Sequence, residues 1–220
     1  MRTVIFDLDG TLADTGDDLL AAANAVFEAG GHGRPLGPAD RATAMRGGRA
    51  MLRLGAGRLG LTWDEAALAA GYARLLLAYE AAIAVHTRLF PGAAEAVAAL
   101  RRGGIAVGIC TNKPAFLAGR LLAELGVRDL FGSLVGGDTL SARKPDPAPL
   151  HLALRLAGGA GARGLMVGDT ATDREAARNA RIPAALVTFG AEAETVAGLA
   201  PEALIGHFDE LPGVVARLLP

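Results

Sequence analysis

Lysine is nearly absent: Lys113 and Lys144 are the only two among 22 basic residues in a chain of 220. An ammonium is a compact point charge suited to one carboxylate or phosphate oxygen, so each of these two positions carries information that twenty arginines do not. Neither lysine follows a glycine, which excludes the phosphate loop of nucleotide hydrolases. The single cysteine, Cys110, excludes an internal disulfide and a cysteine zinc site, and its apolar neighbours make it inert core. Neither sign of charge prevails, with 22 basic against 23 acidic residues and a net charge of −1. No global field therefore recruits nucleic acid or an anionic membrane, and an anionic substrate has to be captured by a local site. No apolar run is long enough to span a bilayer, and Asp7 and Asp9 interrupt the stretch a signal peptide would need, so a cytoplasmic location is the expectation. The four histidines, His32, His86, His151 and His207, lack metal-ligand spacing.

Short apolar runs occur at Thr3–Leu8, Ile105–Cys110, Leu134–Val135, Leu165–Val167 and Ala185–Val187. They are too brief for helices and do not alternate, as expected of strands buried on both faces. Helical patterns lie between them at Gly92–Arg102, Pro114–Leu125, Pro147–Leu156 and Asp173–Ala180. This alternation predicts an α/β fold, a doubly wound parallel sheet of Rossmann-like type. In such sheets ligands bind beyond the carboxyl ends of the strands, so the residues just after each run are the candidates.

Residues 14–85 break the rhythm and read as an inserted all-helical domain, with core segments at 1–13 and 86–220. Leu68, Tyr72, Leu75, Leu76, Tyr79 and Ile83 fall at spacings of three and four, a stripe for packing within the insert. Thr62 and Glu65 predict a capping box ahead of it. Two stretches spell a dinucleotide fingerprint, Gly55-Ala-Gly57-Arg-Leu-Gly60 and Gly159-Ala-Gly161-Ala-Arg-Gly164. The first lies inside the helical insert and the second precedes a strand, so both lack the strand-then-helix context and a nicotinamide or flavin enzyme is rejected.

The first strand runs into Phe6-Asp7-Leu8-Asp9-Gly10-Thr11. Two carboxylates there can divide labour, one attacking phosphorus and the other exchanging protons with the leaving oxygen and with water. Taken alone, the pair reads equally well as turn acids. After the second run comes Thr111-Asn112-Lys113-Pro114, with hydroxyl, amide and helix N-terminal donors suited to an anion or to a helix cap. After the third comes Arg143-Lys144-Pro145-Asp146-Pro147, in which Asp146 and Pro147 read as cap and first residue of a helix and Lys144 stands just outside it. After the fourth comes Gly168-Asp169-Thr170-Ala171-Thr172-Asp173. If that helix starts early, Asp169 and Asp173 share a face. Three or four converging acids would repel one another without a cation, and all-oxygen ligation points to Mg²⁺ rather than zinc.

These four segments, in this order, resemble the four motifs of the haloacid dehalogenase superfamily, and the resemblance runs essentially end to end. Val135-Gly-Gly-Asp138-Thr139-Leu140, Arg143-Lys-Pro-Asp-Pro-Ala-Pro-Leu150, Met166-Val-Gly-Asp-Thr170 and Val187-Thr-Phe-Gly190 are similar to the phosphoglycolate phosphatases in particular. The resemblance implies a phosphomonoester hydrolase working through a phospho-aspartate on Asp7. It implies Asp9 as acid-base, Mg²⁺ held by Asp7, Asp169 and the main-chain carbonyl of Asp9, and Asp173 in support. Thr111, Asn112 and Lys144 would hold the phosphoryl oxygens, with Gly10 also at the substrate. The insert corresponds to a helical cap governing specificity, in which Arg46-Gly47-Gly48-Arg49 resembles a glycine-containing cap loop of the phosphoglycolate phosphatases. There Arg46 or Arg49 is a candidate for a substrate carboxylate, against the alternative of a solvated pair, and the adjacent glycines depart from the usual spacing. The implied partner is a small phosphorylated metabolite, with no nucleic acid or membrane, and the chain would be a monomer or homodimer.

Rival readings differ in definite residues. A dehalogenase of the same fold needs neither Asp9 nor Asp169. A phosphomutase keeps both acids and differs chiefly in its cap, and the phosphoglycolate-like segments weigh against it. A phospho-aspartate signalling receiver is shorter, has no helical insert and carries its aspartate on a later strand. A non-catalytic phosphate-binding relative would have lost a chemical residue, and none is missing.

Overall fold

The structure, a computed structural model, describes residues 1–191 and 193–220. The chain divides into two compact units, one of residues 1–14 and 89–220 and the other Thr15–Arg88. In chain order the first unit opens with β1 (Arg2–Phe6) and β2 (Ala13–Asp14). The second unit follows with α1 (Gly16–Ala29), α2 (Arg41–Met45), α3 (Gly48–Arg58) and α4 (Glu65–Ala81). Then β3 (Arg88–Leu89) leads into α5 (Ala93–Arg102), β4 (Ala106–Cys110), α6 (Ala115–Glu124), β5 (Ser133–Val135), α7 (Pro147–Gly158), β6 (Arg163–Gly168) and α8 (Ala171–Asn179). The chain ends with β7 (Ala184–Val187), α9 (Ala193–Val196), β8 (Ala203–Ile205) and α10 (Leu211–Leu218).

Six strands of the first unit form one parallel sheet in the order β5-β4-β1-β6-β7-β8. The expected α/β doubly wound core is therefore what the chain adopts. β1 lies between β4 and β6, pairing Phe6 with Ile109 on one side and with Val167 on the other. Chain direction across the sheet reverses around β1, because β4 and β5 extend one half and β6, β7 and β8 the other. The crevice at the carboxyl ends of β1 and β6 is thus the switch point where doubly wound sheets bind ligands. Beneath it, Ile5, Cys110, Val135 and Met166 pack with Leu150 and Ala153 of α7 and Ala176 and Ala177 of α8 in a buried cluster. Cys110 is inert core as expected, its thiol pushed up to about 12 by burial. β8 and the last two helices were not among the expected elements. β8 is the three-residue edge strand Ala203-Leu204-Ile205 with Leu204 exposed, too short for any periodicity to set it apart.

The helical unit packs about Phe27, whose ring stacks on Trp63 at 5.4 Å between centroids. Leu68, Leu75, Tyr79 and Ile83 of the expected stripe are buried in it. Asp40 accepts two hydrogen bonds of 2.6 Å from the Arg58 guanidinium, which holds its carboxyl below the usual carboxylate range. The capping box expected from Thr62 and Glu65 does not form. Asp64 is the N-cap of α4 and accepts from the Ala67 backbone N–H at 2.7 Å, while Glu65 turns to Arg53 and Arg49. A carboxylate one residue before the helix reaches the orphan N–H more directly than a threonine two residues further back. The Gly55–Gly60 stretch spans the end of α3, and Gly159–Gly164 leads into β6, so neither has the context of a dinucleotide site. No helix among the described residues is long and apolar enough to cross a membrane.

Candidate active site

Each chemical residue of the first unit follows a strand or caps the next helix. Asp7 comes directly after β1, its backbone N–H still bonded to the Val167 carbonyl at 2.9 Å. Its Oδ1 accepts from the Leu8 N–H at 2.8 Å and lies 3.1 Å from Lys144 Nζ. The chain then turns at Gly10, which has φ of +79° and donates its N–H to the Ala13 carbonyl. That left-handed conformation favours glycine. Gly10 is also crowded from above, since a methyl group on Gly190 would lie 2.9 Å from its carbonyl oxygen.

Asp169 follows β6, and Thr170 is the N-cap of α8. The helix begins at Ala171, so Asp169 is not on it, and the early start that would have put Asp169 and Asp173 on one helical face does not occur. A capping box brings them together instead. Asp173 Oδ2 accepts from the backbone N–H groups of Asp169 and Thr170 at 3.2 and 3.1 Å and from the Thr170 hydroxyl at 2.7 Å. Its Oδ1 accepts from Lys144 Nζ at 2.6 Å. Lys144, buried beside two carboxylates, has opposing influences: burial alone would lower its pKa, but the charges of Asp173 and Asp7 outweigh that and raise it.

One carboxylate oxygen from each of Asp7, Asp169 and Asp173 lies within 4.8 Å of the other two. Burial pushes Asp7 up to about 6, with Lys144 opposing and Asp173 and Asp9 adding to the rise. Asp169 is raised well above the usual range, again first by burial and then by its acidic neighbours, against a 2.6 Å hydrogen bond from the Thr11 hydroxyl to its Oδ1. Asp169 Oδ2 is buried with no hydrogen-bond partner among the described residues. A buried carboxylate oxygen left unpaired is costly, and a divalent cation is the group this all-oxygen cluster could hold.

The remaining sequence candidates occupy four distinct places. Thr111 follows β4 and is buried, and its Oγ1 accepts from the Lys113 N–H at 3.2 Å. Asn112 uses its side chain on Lys144, donating to its carbonyl at 3.0 Å and accepting its N–H at 3.1 Å, so it fixes the backbone that carries the lysine. Asp146 and Pro147 cap and open α7 as expected, Asp146 accepting from the Ala148 N–H at 2.8 Å. Arg46 and Arg49 belong to the helical unit, where Arg49 pairs with Glu65 at 3.2 Å and lies 5.6 Å from the centre of the Tyr72 ring.

Two residues at the site had been given no role. Thr11 was visible only as part of the first motif, and nothing in its spacing shows that it reaches a carboxylate 158 residues away. Lys113 forms a 2.7 Å ion pair with Asp9 Oδ1, its side chain only 4% exposed. The rarity of lysine was the signal that could have found it, since both lysines of the chain lie at this site.

Comparison with known proteins agrees with this geometry. Residues 1–181 match the haloacid dehalogenase-like hydrolase family. The chain is 35% identical over 219 residues to a phosphoglycolate phosphatase of Caulobacter vibrioides, covering 99% of this chain and 92% of that one. It is 38% identical over 222 residues to a phosphoglycolate phosphatase of Cereibacter sphaeroides, covering all of both chains. Among solved structures, that of a predicted phosphoglycolate phosphatase from Haemophilus somnus matches with a TM-score of 0.85 at 23% identity, covering 97% of each chain, a likeness of fold. Both the ordered motifs on the sheet and these full-length relatives place the chain in one family: it belongs to the haloacid dehalogenase-like hydrolases.

Proposed function

We propose that this chain hydrolyses a small phosphate monoester, 2-phosphoglycolate, to glycolate and phosphate, with Asp7 as the nucleophile and Mg²⁺ as the cofactor. The observation that carries this reading is the cluster of Asp7, Asp169 and Asp173 beside the single ammonium of Lys144, with Asp169 Oδ2 lacking a partner. Such a group of acids suits a cation and an anionic substrate together. The substrate is inferred from the relatives named phosphoglycolate phosphatase.

In this reading Asp7 and Asp169 offer carboxylate oxygens to the ion and Asp9 its main-chain carbonyl. Asp173 supports them, because its Oδ1 is committed to Lys144 and its Oδ2 to the start of α8. When bound, Mg²⁺ offsets the negative charge that phosphate and carboxylate bring together. An Asp7 carboxylate oxygen attacks phosphorus in line as the ester P–O bond breaks, and Asp9 gives its proton to the departing oxygen. Water then attacks the same phosphorus, Asp9 takes the proton back, and the bond to Asp7 breaks to release phosphate. Thr111 through its hydroxyl, Asn112 through its backbone N–H and Lys144 through its ammonium hold the phosphoryl oxygens as charge builds on them, with the turn at Gly10 beside the substrate. Arg46 or Arg49 pairs with the substrate carboxylate.

The test is phosphate release from 2-phosphoglycolate, sugar phosphates, nucleoside monophosphates and an aryl phosphate, with Mg²⁺ and with chelator. Preference for 2-phosphoglycolate that chelation abolishes is the expected result. Metal-dependent release led by another ester overturns the substrate, and no release from any ester overturns the hydrolytic reading.

A further inference from the structure

Asp9 has two proton transfers to perform in the proposed reaction, and its carboxylate must face the leaving-group oxygen in the first and water in the second. It sits two residues beyond Asp7 in a loop and is not held by the Lys144 network. What holds it is Lys113, whose Nζ lies 2.7 Å from Asp9 Oδ1. This is no ordinary surface ion pair, since the side chains are only 4% and 18% exposed. The lysine backbone is itself anchored on both sides. Its N–H donates to Thr111 Oγ1 at 3.2 Å, and its carbonyl accepts from the Gly137 N–H at 2.8 Å. Gly137 has no room for a side chain, because a methyl group there would collide with the Asn112 carbonyl oxygen. A tight approach between the loops after β4 and β5 therefore sets where the ammonium stands. Each first-loop carboxylate has its own lysine: Lys144 at Asp7 and Lys113 at Asp9.

We propose that Lys113 is a positioning residue for the acid-base step, holding Asp9 Oδ1 so that Oδ2 is turned to the ester oxygen of the substrate. The inference rests on the phosphatase reading above. With Oδ1 committed to the ammonium, Oδ2 carries the proton that passes to the leaving oxygen as the P–O bond breaks and the bond from Asp7 to phosphorus forms. The same oxygen then accepts the proton of the attacking water. Positioning of a general acid matters in proportion to how much the leaving group needs a proton, so an alkoxide depends on it and a stabilised phenolate does not.

The experiment compares kcat/KM of the wild-type enzyme and of Lys113→Met on 2-phosphoglycolate, ethyl phosphate and p-nitrophenyl phosphate in Mg²⁺. This parameter covers the steps through departure of the leaving group. The expected result is a fall of about 100-fold on both alkyl esters and of less than about 3-fold on the aryl ester. An equal fall on all three overturns the inference in favour of a structural role. A fall confined to 2-phosphoglycolate overturns it in favour of direct contact with the substrate carboxylate. If Lys113→Met does not fold, Lys113→Arg, which keeps the charge and displaces it, reads the same ratio with the same two overturning patterns. Failure of the parent reading is distinct, since the wild-type enzyme would then release phosphate from none of the three.

Discussion

The Lys144 ammonium stands 2.6 Å from Asp173 Oδ1, joining the loop after β5 to the first turn of α8, and its remaining reach covers Asp7 at 3.1 Å. One buried cation thus offsets two buried carboxylates that lie against each other. That pairing opposes the repulsion between the carboxylates, because like charges at such separations repel strongly where water is excluded.

Removing the lysine charge should therefore cost both stability and turnover. Lys144→Met is expected to lower the unfolding free energy by about 3 kcal/mol, the usual cost of leaving a buried charge without its partner. It should also reduce phosphate release by a factor on the order of 10² to 10³, as loss of one stabilising donor does. Urea unfolding and initial rates check the two effects, and an unchanged urea midpoint would remove the central role given to this pair.

Asp7→Asn should act in opposite directions on activity and stability. Turnover should fall by at least about 10³-fold, since an amide cannot form the acyl phosphate. The fold should be kept or strengthened, because the substitution removes a charge whose burial raises the Asp7 pKa to about 6. Unimpaired hydrolysis by this variant would sink the phospho-aspartate mechanism.

The same shift sets a pH dependence in metal-free protein. Asp7 has a folded pKa of about 6 against an unfolded value of 3.8, so the folded state retains the proton longer. Its contribution is fully present below about pH 4 and is lost as pH rises through about 6, because between those limits the unfolded chain has released the proton and the folded chain has not. In chelator, the Tm of wild type relative to Asp7→Asn should decline from pH 4 to pH 6.5. A difference that stays flat over that range would contradict the environment assigned to Asp7.

The two proposed caps of α4 make a direct comparison. Asp64→Ala should destabilise by about 1 kcal/mol, the ordinary cost of losing a side-chain N-cap. Thr62→Ala should change stability by less than about 0.5 kcal/mol, as expected away from such a feature. Equal losses in chemical denaturation would contradict the observed cap.

Arg46 and Arg49 are separable by substrate. On the proposed carboxylate pairing, replacing Arg46 or Arg49 with alanine should raise KM for 2-phosphoglycolate while leaving ethyl phosphate nearly unaffected. The Arg49 variant also loses the pairing with Glu65 and the Tyr72 contact, so its melting temperature should be recorded beside its kinetics. An unchanged substrate profile in both variants removes the assignment.

The order of motifs was legible in the sequence because it is local. Burial on both faces makes β1, β4 and β6 continuous apolar runs, and each run ends where its polar signal begins. Asp146 before Pro147 announces the start of α7, since a short carboxylate and a ring lacking an N–H both suit that position. The cap of α4 was misplaced by two residues because Thr62 and Asp64 are both acceptable caps, and only the path of the backbone selects between them. β8 was missed because a three-residue edge strand with one exposed side chain carries no periodic signal.

By itself, then, the sequence determined which residues stand at the ends of the strands and which chemistry they can perform, for hydrophobic patterning and turn chemistry act over a few neighbours. Tertiary structure alone decided which of these residues meet. Thr11 reaches Asp169, Lys113 reaches Asp9, Asn112 is spent on the Lys144 backbone, and Asp173 joins Asp169 through a capping box rather than along a helical face. Those partnerships depend on parallel strands placing distant loops side by side, which spacing along the chain does not encode.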